Sequence, residues 1–104
     1  MTQRTDNISF EFFGGGQKET VCTGSIVIRD SEMVLSVDWG HERPYTIIGR
    51  QQSGTFFGEH VGDPADSSVR AEWARLQNDW IGIWIEDGLR YLFTFQIPTV
   101  DDAE

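Results

Sequence analysis

Cysteine is almost absent from this chain. Cys22 stands alone, so no internal disulfide can form and a reducing compartment is adequate. It lies in TVCTGS with no CxxC, where a small buried apolar side chain is expected rather than a nucleophile. Cations are scarce as well: 8 Lys and Arg face 17 Asp and Glu, a net charge of −9. Such a field repels phosphate, so nucleic acid and anionic membranes are not expected partners, and any charged partner should be basic. Apolar runs are short, the longest being Trp80 to Ile85 if Gly82 is counted, so no membrane insertion is expected. The opening MTQRTDNISFEFF has no apolar stretch after its single Arg, so no signal peptide is expected and a cytoplasmic location is.

Catalytic signatures are missing too. No GxSxG, HExxH, GxGxxG or P-loop pattern occurs, and Gly14-Gly15-Gly16 lacks a following helix and Lys-Ser/Thr. The two histidines each have a Glu beside them, His41 with Glu42 and His60 with Glu59. Neighbours on a strand point to opposite faces, so neither pair could chelate from regular β-structure, and turn-associated surface histidines are expected. The expectation is a non-enzymatic protein without cofactor or metal.

What remains is rich in rings and turn residues: seven Phe, four Trp, two Tyr and eleven Gly. A chain of 104 residues makes one domain, with a core of about 8–97 and polar termini at 1–7 and 98–104. Short apolar segments recur between turn residues. They are ISFEFF (8–13), VCTGSIVIR (21–29), MVLSVDW (33–39), YTIIGR (45–50), TFFGEHV (55–61), then 80–86 and 89–97. This spacing predicts an all-β, antiparallel up-and-down meander of seven or eight strands closing into a small barrel. The segment 67–79 reads two ways. Val69, Trp73, Leu76 and Trp80 form a helical stripe, giving a short helix at 68–78. Val69 to Trp73 also alternates, with Asn78-Asp79 as a hairpin turn, and that strand completes the meander.

Alternation assigns faces. Ile8, Phe10 and Phe12 point inward, with Ser9 and Glu11 opposite. A short loop from Arg29 to Glu32 sets Ile28 against Met33, Ile26 against Leu35, Gly24 against Val37 and Cys22 against Trp39. The hairpin after WIGIWI is ambiguous. A two-residue Asp87-Gly88 turn pairs Glu86 with Leu89 and puts Trp80, Gly82 and Trp84 beside Tyr91, Phe93 and Phe95. A three-residue loop pairs Ile85 with Leu89 and turns Ile81, Ile83 and Ile85 inward. The second keeps every polar group outside and is preferred here. Trp84 then stacks over Arg90 on the outer face.

GTFFG (54–58) and GIWIEDG (82–88), set in a small antiparallel meander, resemble the calycins: lipocalins, fatty-acid-binding proteins and avidins. The lipocalin GxW belongs on the first strand, whereas Gly82-Ile83-Trp84 lies near the C-terminus. The resemblance implies a closed barrel that holds an apolar ligand in its lumen. The candidate lumen set is Phe10, Phe12, Trp39, Phe57, Tyr91, Phe93 and Phe95, with Gly24 and Gly49 leaving space. The expected function is a non-catalytic domain binding an apolar or amphipathic small ligand. The alternative is a protein–protein module, a homodimer or a complex with a basic protein. It would use an outer face of Trp73, Trp80, Trp84, Arg90 and Leu92.

Overall fold

The computed structural model describes residues 2–38, 45–60 and 69–97. They form eight strands: β1 (Thr2–Gly14), β2 (Gln17–Arg29), β3 (Glu32–Asp38), β4 (Tyr45–Gln52), β5 (Thr55–His60), β6 (Val69–Leu76), β7 (Asp79–Glu86) and β8 (Leu89–Phe95). Each pairs antiparallel with the next, and β1 pairs with β8, so the sheet closes into an up-and-down barrel. This architecture is consistent with the calycin-like barrel that the sequence resembles. The segment 67–79 is resolved in favour of a strand from Val69 onward, with no helix at 69–76. Its inner side is Val69, Ala71 and Trp73, so two-residue alternation prevails over the helical stripe.

The tight connections explain the hairpins. Gly15-Gly16, Ser53-Gly54 and Asp87-Gly88 all carry positive φ at both positions, the twist that matches two flanking strands. The turn after β6 is Gln77-Asn78, with Gln77 left-handed at φ 59°, one residue earlier than the expected Asn78-Asp79. β1 also begins at Thr2, where a polar terminus up to residue 7 was expected. Thr2 to Thr5 pair with Arg29 to Ile26, and a bulge at Asp6 and Asn7 restores the alternation before Ile8.

The register of β2 on β3 is as expected: Ile28 opposite Met33, Ile26 opposite Leu35, Gly24 opposite Val37. Trp39, and with it the Cys22–Trp39 pairing, lies outside the described residues. Ile8, Phe10 and Phe12 are buried as expected.

The β7–β8 hairpin corrects the preferred reading. Glu86 pairs with Leu89, Trp84 with Tyr91, Gly82 with Phe93 and Trp80 with Phe95. Trp84 is 0% exposed and Ile83 is 41% exposed, so the tryptophan side is the inside. Asp87 adopts φ 51° and Gly88 φ 86°, closing the chain in two residues instead of three. A one-residue change in loop length reverses every side chain on the strand.

The reason lies across the sheet. Trp73 pairs with Gly82, and a Cβ at residue 82 would meet the Glu72 carbonyl, Trp73 Cβ at 2.7 Å and Phe93 Cε1 at 2.9 Å. Gly49 is the second such gap: a Cβ there would run into the Trp73 indole, 2.7 Å from Cζ2. The space it leaves belongs to a tryptophan of the same chain. Trp73 Nε1 donates to Met33 Sδ at 3.0 Å, which satisfies its indole N–H in the core.

Candidate functional site

The barrel interior is occupied by its own rings. Phe12 and Trp84 meet edge to face at 5.2 Å, Phe12 stacks on Phe93 at 5.7 Å, and Phe93 touches Phe95 at 6.0 Å. Phe56 lies parallel to Trp73 at 5.8 Å. Of the expected lumen set, Phe10, Phe12, Phe93 and Phe95 are indeed brought together, each at most 2% exposed. Tyr91 is half-buried at the rim. Phe57 is not inside. It is 46% exposed, because Phe56 takes the inward place against Trp73 and adjacent strand residues cannot share a face.

The expected outer set divides. Trp73 and Trp84 are 1% and 0% exposed, so both belong to the core and the Trp84–Arg90 stack does not form. Trp80 is half-buried on the inner side, stacked on Phe95 at 5.9 Å. Arg90 and Leu92 do face outward, but beside isoleucines rather than tryptophans.

The feature that composition and alternation missed is Glu86. It continues the inner row Trp80, Gly82, Trp84, at the barrel end formed by the turns Gly15-Gly16 and Asp87-Gly88. Its Oε1 accepts from Trp84 Nε1 at 3.1 Å and its Oε2 from the Tyr45 hydroxyl at 3.3 Å. The three-residue loop expected from the sequence would have kept this carboxylate outside. At the rim it is instead the acceptor that a buried indole needs. The available signal was the pair itself, Trp84 followed two residues later by an acid on the same face.

Tyr45 joins the network to β5. Its ring meets His60 edge-on at 5.0 Å and Trp84 at 6.1 Å. His60 is half-buried on the inner side of β5 opposite Ile47, not a surface turn residue, and Glu59 points the other way. Its Nδ1 lies 3.2 Å from the Thr46 carbonyl and 3.3 Å from the Thr46 amide, so the tautomer decides which contact forms. His41 lies outside the described residues. Beside this network a cleft of about 320 Å³ opens between Thr20, Tyr45, Glu86, Leu89 and Tyr91, with Glu19 and Asp87 at its margin.

Among the described residues no group of three or more His, Cys, Asp or Glu could hold a metal ion, and no helix is long and apolar enough to cross a membrane. Cys22 is buried, and its thiol pKa is raised, first by burial and then by the nearby Asp38 charge, against a lowering hydrogen bond from Thr20. A thiol held protonated in this way is a poor nucleophile. No family model, curated protein or solved structure matches the chain.

Proposed function

We propose that this domain is a non-catalytic binder that takes an amphipathic small ligand at the rim of the barrel rather than in its interior. The supporting observation is Glu86, an inward-facing carboxylate fixed by Tyr45 and Trp84 at the edge of the 320 Å³ cleft. The cleft size is at the lower end of the range for small-molecule sites. Its chemistry is two-sided. Leu89 and the rings of Tyr45 and Tyr91 offer apolar surface, while Glu86, Glu19 and Asp87 offer negative charge. An alkyl or aryl ammonium matches both sides, the cation meeting the carboxylates and tyrosine faces and the tail meeting Leu89. Packing of Phe12, Trp84 and Phe93 below the rim leaves the tail a surface to lie on, not a tunnel to enter.

Trp84 also serves as a reporter because its indole is bonded to the same carboxylate. Alkylammonium and alkyl sulfate probes of equal chain length should be titrated against tryptophan fluorescence and by calorimetry. The ammonium is expected to bind and the sulfate not, and Glu86→Gln should weaken the ammonium by about tenfold. Equal binding of the two headgroups, or of neither, removes this reading.

A further inference from the structure

The polar side chains that line the rim cleft are hydrogen-bond acceptors almost throughout. Glu19, Glu86 and Asp87 are carboxylates, which have no proton to give when ionised. Three hydroxyls complete the polar lining, and two of their protons are already committed inward. Tyr45 donates to Glu86 at 3.3 Å, and Thr20 hydrogen-bonds the Cys22 sulfur. Tyr91 alone keeps a hydroxyl with no hydrogen bond among the described residues. No lysine, arginine or amide side chain lines the cleft among those residues.

Glu86 is also fixed in direction. Its Oε1 accepts from Trp84 Nε1 at 3.1 Å and its Oε2 from Tyr45, so each oxygen is used once from inside the fold. A carboxylate has about four lone-pair sites, so about two remain for a ligand. Ring faces, the usual partners of a cation without N–H groups, are in shorter supply. Tyr45 is 8% exposed, with its ring against His60 at 5.0 Å and Trp84 at 6.1 Å, so it gives the cleft little area. Tyr91, half-buried, is the one tyrosine there with more to offer.

We infer that, given binding at the rim as proposed above, the cation this cleft selects is a primary ammonium rather than its N-methylated forms. One N–H meets Glu86, and the lone pairs of the Thr20 and Tyr91 hydroxyls serve the others. Hydrogen bonds to charged groups are stronger than neutral ones, and each methyl that replaces an N–H removes one. A trimethylammonium makes none, and its methyl groups hold the charge away from the carboxylate oxygens. Methylation also makes the cation easier to dehydrate, which favours the quaternary form where acceptors are absent. Here acceptors surround the site, and the donor count decides. The alkyl stem lies on Leu89, 61% exposed, whatever the headgroup.

The test is calorimetric titration of the whole chain with hexylamine and its N-methyl, N,N-dimethyl and N,N,N-trimethyl forms at neutral pH, where all are cations. Affinity should fall at each step, by about tenfold or more from the primary to the quaternary form. Thr20→Val and Tyr91→Phe each keep the shape of the side chain and remove its hydroxyl. Each should weaken the primary amine by about threefold or more and leave the quaternary one unchanged. Urea midpoints show that the variants are folded, and two positions on different strands keep the test open if one is not. A series that stays level or rises with methylation overturns the inference and leaves rim binding standing. So does a preference for the primary amine that survives both substitutions. If no member of the series binds, rim binding itself falls, and the inference with it.

Discussion

The two ends of the barrel are closed by different chemistry. At the end bearing the turns 53–54 and 77–78, the core is apolar, with rings packed beside Ile8, Ile26 and Met33. Trp80 stacks on Phe95 at 5.9 Å and meets Phe56 at 5.9 Å, and Phe10 leans on Phe95 at 5.1 Å. At the end bearing the turns 15–16 and 87–88, the same inner face terminates in Glu86, Tyr45 and His60, joined by hydrogen bonds and edge contacts. A ring-closed end has nothing to offer a polar ligand. A polar end has directional partners that are already held in place. Stability should therefore be concentrated at the first and recognition at the second.

The strongest way to break this contrast is Phe95→Ala at the ring-closed end. Phe95 is 2% exposed and touches Phe10, Trp80 and Phe93. Its loss should cost about 3–5 kcal/mol in urea unfolding and leave probe binding by the surviving folded fraction unchanged. A midpoint near that of the wild type would mean that this end does not carry the core.

Gly49→Ala probes the ground between the ends. The added methyl meets the Trp73 indole, so a loss of about 1–3 kcal/mol is expected from overpacking. Trp73→Phe in the same chain should recover part of it, because the smaller ring vacates that volume. The double-mutant coupling energy measures the recovery. Additive losses would show that the glycine is not there to admit the indole.

Tyr45→Phe should have the smallest effect on folding, about 0.5–1.5 kcal/mol for one hydrogen bond to Glu86. The same change should lower ammonium-probe affinity, since it frees the carboxylate that the tyrosine orients. If Tyr45→Phe destabilised the fold as much as Phe95→Ala, the two ends would not differ as described.

How much of this was legible depends on how unequal the two faces of each strand are. Ile8, Phe10 and Phe12 alternate with Ser9 and Glu11, and Ile26 and Ile28 face Met33 and Leu35 across a short turn. One face in each case is plainly the apolar one, and the register followed. In WIGIWI both faces are apolar, with Trp and Gly on one and Ile on the other. Alternation then says that two faces exist and cannot rank them. Phe56 and Phe57 pose the same problem in miniature.

The amino-acid sequence by itself determined an acidic, disulfide-free chain whose spaced short strands and tight turns close into an antiparallel barrel. Strand periodicity and turn residues are local properties, and local patterns suffice to fix them. Only the tertiary structure decided which rings lie inside. Gly82 makes room for Trp73, Gly49 admits its indole, and Glu86 is tolerated inward because Trp84 and Tyr45 donate to it. Those partners come from β4, β6 and β7, and no window along the chain contains them together. Placement of the tryptophans inside, and with it the isoleucine surface outside, is a consequence of volume and hydrogen bonding between strands far apart in sequence.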